Sequence, residues 1–101
     1  MRIIWSEFAE IQLDNIFNYY YYTVSYETAS RIVIKIILAI DILLTNPLIG
    51  QIEELLLNRK TQYRYLVQDN YKIIYSVNND EIRIADIFDV RQSPKKIKRK
   101  K

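Results

Sequence analysis

Two periodicities divide the chain. Between residues 9 and 44 the apolar positions recur every three or four residues, and between 62 and 90 they tend to alternate with polar ones. The first pattern predicts helices and the second predicts strands. Ala9, Leu13, Ile16, Phe17 and Tyr20 form one helical stripe, with Gln12, Asp14, Asn15 and Asn18 on the other side. Ser6 is placed to cap that helix, and Glu7 and Glu10 follow where the helix dipole favours negative charge. A second stripe runs through Ala29, Ile32, Val33, Ile36, Ile40, Leu43 and Leu44 behind a second capping serine, Ser25. Ile37 and Leu38 widen it, which predicts a helix packed against both a sheet and its neighbour. It should stop by Asn46, because Pro47 disfavours helical geometry in the residue before it.

The alternating region predicts three strands, Gln62–Val67, Tyr71–Val77 and Glu81–Val90, rich in Tyr, Val and Ile. Asp69-Asn70 and Asn78-Asn79-Asp80 separate them, and these residues tolerate the positive φ of tight hairpins. Arg2–Trp5 is β-prone and makes a fourth strand. Alternation breaks once: Ile82, Ile84 and Phe88 share a face with Asp86 while Ile87 lies opposite, and a bulge near Asp86 would reconcile them. Pro47–Lys60 predicts a loop with one helical turn around Ile52–Leu57. The expected order is β-α-α-β-β-β, an α+β domain with a two-helix antiparallel hairpin on a mainly antiparallel four-stranded sheet. Residues 1–94 make a single domain, and 95–101 a basic, disordered tail.

Composition narrows the chemistry. The 101 residues include no His and no Cys, which removes His-based proton transfer, nucleophile pairs that depend on His, disulfides and thiolate metal sites. A single Gly excludes the glycine-rich phosphate loops, so no cofactor and no metal are expected. The N-terminus lacks a signal-peptide pattern, and the apolar run Ile32–Leu44 is interrupted by Lys35 and Asp41. A cytoplasmic protein without a membrane partner is expected.

Net charge is +3, but six of the fifteen Lys and Arg fall after Ser93, leaving nine against twelve Asp and Glu in the rest. The body therefore lacks the broad positive footprint of a nucleic-acid binder.

Tyr63-Arg64-x-Leu66-Val67, Tyr71-Lys72-Ile73-Ile74-Tyr75 and Ile82-x-Ile84-x-x-Ile87-Phe88-Asp89-x-Arg91-Gln92-x-Pro94 follow one another at fixed spacing. With Trp5-Ser6 upstream and Asn46-Pro47-x-x-Gly50 between, this ordered set resembles the RelE/ParE superfamily of toxins from type II toxin–antitoxin modules. It is closer to the ParE-like, plasmid-stabilisation branch than to the RelE-like ribonucleases. The resemblance implies a growth-inhibiting toxin that binds and poisons DNA gyrase and is neutralised by a cognate antitoxin. The alternative it implies is a ribosome-dependent mRNA endoribonuclease, with the ribosome and mRNA as partners. A second alternative is an inactive relative that only binds the antitoxin.

Arg64, Lys72 and Arg91 are the candidate catalytic cations for the ribonuclease alternative. Read without the resemblance, they are ordinary solvent-facing cations on a half-exposed sheet. Asp89 stands where several ribonuclease relatives place His. A carboxylate beside Arg91 repels phosphate and makes a poor general acid, which favours the binding toxin. For that toxin, Arg64, Lys72, Asp89, Arg91 and Gln92 are the target-binding candidates. Antitoxin contacts are expected at Phe8, Ile11, Tyr19, Tyr22, Leu55 and Leu57, with Lys95 and Lys96 gripping an acidic segment. The Tyr19–Tyr22 run either packs Tyr20 inward with the others at the rim or presents an aromatic patch to a partner.

Overall fold

A computed structural model describes residues 1–91. Gln92, Lys95, Lys96 and the rest of the basic tail lie outside the described residues.

The order is β1 (Arg2–Trp5), α1 (Glu7–Thr23), α2 (Tyr26–Asp41), β2 (Gln51–Ile52), β3 (Arg64–Gln68), β4 (Tyr71–Asn78) and β5 (Glu81–Asp89). The sheet has five strands rather than four, in the order β1-β5-β4-β3-β2. The extra strand is a two-residue edge piece inside the expected loop, paired antiparallel with Arg64 and Tyr65. Such a strand carries no alternation to detect, because it is held by its neighbour and not by its own pattern. The sheet is mainly antiparallel, and β1 alone runs parallel to its partner, β5.

Both helices begin at the expected caps: the Ser6 hydroxyl accepts from the Ala9 N–H and the Ser25 hydroxyl from the Thr28 N–H. A 3-10 turn, Ile42–Leu44, carries α2 to the Pro47 boundary, and a second one, Glu54–Leu56, supplies the single helical turn in the loop. The hairpin turns have Asp69 at φ 54° and Asn79 at φ 51°, the left-handed geometry that Asp and Asn accept more readily than most residues.

The bulge lies one residue before Asp86. Ile84 pairs with Tyr75 and Asp86 with Ile74, so Ala85 is the extra residue of β5. Ser6 fastens it, since the Ser6 hydroxyl donates to the Ala85 carbonyl at 3.2 Å and the Ser6 N–H to the Ile84 carbonyl at 3.0 Å. One serine therefore caps α1 and holds the irregular point of the central sheet.

The helices cover one face of the sheet. Ala9, Ile36, Ile40 and Leu43 pack there on Ile73, Tyr75, Ile82, Ile84 and Ile87. Ile36 and Ile40 face this core as expected. Ile37 and Leu38 do not extend it: both are exposed, Leu38 on the outer side of α2. A stripe on an isolated helix is symmetric about its own axis, and only the hairpin partner decides which flank is covered.

The opposite face is covered by the chain between β2 and β3. Leu56 packs on Ile74, with Tyr63, Tyr65 and Ala85 around them. Residues 53–57 thus form a short strap over the sheet.

Candidate functional site

Register decides which cations meet. Residues directly opposite on neighbouring antiparallel strands share a face. Arg64 is opposite Tyr75, on the helix-covered face, and Lys72 is opposite Phe88 on the strap-covered face. Arg91 follows Asp89, which is opposite Tyr71 at the far end of β4. Tyr71 and Tyr75 are four residues apart, or roughly 13 Å along a strand. Arg64, Lys72 and Arg91 therefore do not form one cluster.

Each of the three has its own partner. Arg64 donates to the Gly50 carbonyl at 2.9 Å and, more weakly, to the Leu48 carbonyl at 3.4 Å. Beside it, the Tyr75 hydroxyl accepts from the Gly50 N–H and donates to the Pro47 carbonyl, both at 2.9 Å. Burial pushes the Tyr75 phenol up from its ordinary pKa, so it keeps the proton for that second bond. The loop leaving Pro47 is thus clamped by a guanidinium and a phenol. Gly50 is needed there, because an added Cβ would come within 2.5 Å of the Tyr75 hydroxyl and 2.8 Å of the Tyr65 carbonyl.

Lys72 forms a 2.7 Å ion pair with Glu53, a carboxylate only 3% exposed, and lies 4.2 Å from the centre of the Tyr65 ring. Glu53 also accepts from the Leu55 N–H. The lysine ties the strap to the sheet and keeps a buried carboxylate compensated.

Arg91 reaches back to Asp89. Its Nη2 donates to Asp89 Oδ2 at 2.7 Å, its Nε to Oδ1 at 3.0 Å, and its backbone N–H to Oδ1 at 2.9 Å. These bonds hold the Asp89 carboxyl below the usual aspartate range. Asp89 is therefore ionised at neutral pH and unsuited to donating a proton, as the sequence indicates.

Asp89 and Arg91 line a cleft of about 770 Å³ between α1 and the ends of β4 and β5. Tyr19, one of the expected antitoxin contacts, lines it with them, as do Asn15, Tyr20 and Tyr71. Tyr71 and Tyr20 bring their hydroxyls to 3.4 Å. Burial, then the bond to Tyr20, pushes the Tyr71 phenol up. Tyr20 packs inward and Tyr19, Tyr21 and Tyr22 are exposed. Sequence reasoning missed Tyr71 and Tyr20 as cleft residues and Glu53 as the partner of Lys72. The pair Glu53-Glu54 ahead of Leu55–Leu57 was the available signal for the last, without showing which of the two faces Lys72.

The remaining candidates divide between two sides. Ile11, Tyr19 and Tyr22 are exposed on α1 and Phe8 is half-buried, while Leu55 and Leu57 are exposed on the strap. These two groups sit over opposite faces of the sheet. Among the described residues no group of acidic side chains is arranged to hold a metal ion, and no helix is long and apolar enough to cross a membrane.

Residues 3–94 match the family described as "ParE toxin of type II toxin-antitoxin system, parDE". The chain belongs to the ParE toxin family. Among solved structures, it is similar to a chain of the "Chromosomal ParDE TA system from P. aeruginosa", with a TM-score of 0.73 and 23% identity. The similarity covers 89% of this toxin chain and 96% of that one, and at this identity it speaks to the shared fold. No curated protein sequence gives a significant match.

Proposed function

We propose that this ParE-family toxin inhibits growth by binding its target without catalysis, that the target is DNA gyrase, and that a cognate antitoxin neutralises it. The separation of Arg64, Lys72 and Arg91 carries this reading. Phosphodiester cleavage needs cations converging on one developing charge and a group that moves a proton. Here Lys72 lies on the other face from Arg64, Arg91 is held by Asp89, and Asp89 is kept ionised. Gyrase as the target rests on family membership. An antitoxin partner agrees with the many apolar side chains exposed on α1, α2 and the strap, since soluble monomers rarely leave large apolar patches uncovered.

The test is induction of the toxin alone in a bacterial host, with labelled thymidine and methionine followed over the first minutes. Thymidine incorporation is expected to fall first, and the purified toxin is expected to inhibit gyrase supercoiling. A first fall in methionine incorporation, abolished by Arg64→Ala and Arg91→Ala, would overturn the gyrase assignment in favour of translation-blocking mRNA cleavage. Continued growth would favour an inactive, antitoxin-binding relative.

A further inference from the structure

We infer that Arg59-Lys60 is a processing site, where an endoprotease that reads basic side chains cuts the folded toxin into two pieces that stay assembled. The segment 57–62 follows the 3-10 turn Glu54–Leu56, precedes β3 and belongs to no helix or strand. Leu57, Asn58, Arg59 and Lys60 are exposed in succession. The segment is held at its ends: Leu56 is 1% exposed, and the Glu53 N–H donates to the Tyr63 carbonyl at 2.9 Å. A cavity of about 200 Å³, lined by Glu53, Leu56, Lys60 and Tyr63, lies between the segment and the strap. Exposed loops that do not pack against the body are where folded proteins are nicked first.

The other described cations are shielded by regular structure. Arg2, Arg31, Lys35, Arg64, Lys72 and Arg83 sit within helices or strands, whose backbone enters a protease only after local opening. Arg91 lies two residues past β5, where a cut removes only the tail. Among the described residues, a protease with a carboxylate in its specificity pocket therefore meets one internal site.

Hydrolysis adds water across the bond. It leaves a carboxylate on the piece that ends at Arg59 or Lys60 and an amino group on the piece that follows. The first piece carries β1, both helices and β2, and the second carries β3, β4 and β5. The cut thus divides the core between them. Ala9, Ile36, Ile40 and Leu43 of the first cover Ile73, Tyr75, Ile82, Ile84 and Ile87 of the second. β1 stays paired with β5, and Lys72 with Glu53. Neither piece alone keeps its apolar face out of water, so the two remain together.

What changes is recovery after unfolding. In the intact chain the two parts meet at an effective concentration in the millimolar range, as short connections give. In the cut chain they meet only at the concentration of the toxin itself. A cut toxin that unfolds in dilute solution is lost, whereas an intact one refolds. Cleavage leaves the fold in place and removes its durability.

The inference needs neither gyrase nor the antitoxin. Its test is limited digestion of the full chain with trypsin, followed by mass spectrometry of denatured samples. Cuts after Arg59 or Lys60 are expected at least about 100-fold faster than cuts after Arg31 or Lys35, which need local opening. Cuts at or beyond Arg91 only trim the second piece. Both pieces should elute with the intact toxin in gel filtration, with unchanged circular dichroism. The thermal midpoint of the cut toxin should rise with concentration more steeply than that of the intact chain. Replacing Arg59→Gln and Lys60→Gln together should slow the internal cut by a similar factor. A first internal cut at Arg31, at Lys35 or within a strand, or an internal cut that survives the double replacement, would overturn the site. Pieces that elute apart, or equal concentration dependence of the two midpoints, would overturn the assembly.

Discussion

The two faces of the sheet are built on different principles. The helix face is aliphatic and continuous, with Ile36, Ile40, Ile73, Ile82 and Ile84 each no more than 1% exposed. The strap face buries fewer apolar side chains, Leu56, Ile74 and Phe88, and is also held by the Lys72–Glu53 ion pair and by Tyr65. Hydrophobic burial scales with area and needs no exact geometry, whereas an ion pair is favourable only while both partners stay in place. The first face should therefore report on the stability of the whole domain, and the second on the local attachment of one segment.

Substitutions can break this contrast, the strongest on the helix face. Ile84→Ala removes a fully buried side chain where β5 meets β1, β4 and α1. It is expected to cost about 2–5 kcal/mol, read as a lower midpoint of one cooperative urea transition by both fluorescence and circular dichroism. Separate transitions would show that the helix layer does not govern the fold.

A smaller effect is expected from Lys72→Ala, about 2 kcal/mol. It leaves Glu53 without its cation, and the cost is below the 3–5 kcal/mol of a fully dry pair because Lys72 lies at a partly open rim. Hydrogen exchange should accelerate at residues 53–57 before it does in α1 or α2. Uniform acceleration would mean that the strap is part of the global unit.

The smallest effect concerns the cleft. Asp89 has its pKa lowered in the folded state, so its pairing with Arg91 adds stability above the ordinary aspartate pKa, about 3.9. That stability is lost as pH falls through the folded value. Asp89→Asn should reduce the drop in thermal midpoint between neutral and strongly acid pH and leave the strap's exchange unchanged. An identical acid profile would show that the pair contributes nothing.

Much of this arrangement was legible because it is local. Ser6 and Ser25 cap through their own side chains, Pro47 limits α2, and the broken alternation of Ile84, Asp86 and Ile87 located the bulge to within a residue. The absence of His and the Asp89–Arg91 spacing also pointed away from proton transfer. What stayed hidden depends on relations between distant segments. The outward direction of Leu38 is set by α1, and β2 exists only as an addition to β3. The faces of Arg64 and Lys72 depend on where Asp69 and Asn70 start the next strand. The partner of Lys72 lies 19 residues earlier, at the single residue between β2 and the 3-10 turn. Chain composition carries no record of that meeting.

The parallel pairing of β1 with β5 has a consequence in time. Arg2 and Glu81, joined by an ion pair, are 79 residues apart, and the Ser6 anchor on the bulge spans an equal distance. Contacts of such long sequence separation require most of the chain before they can form. During synthesis α1 and α2 can emerge and pair, but the strand between β1 and β4 comes last. The cleft beside Asp89 and Arg91 is completed by that same strand. A chain on the ribosome that has not yet been translated through β5 therefore lacks both its finished sheet and its cleft.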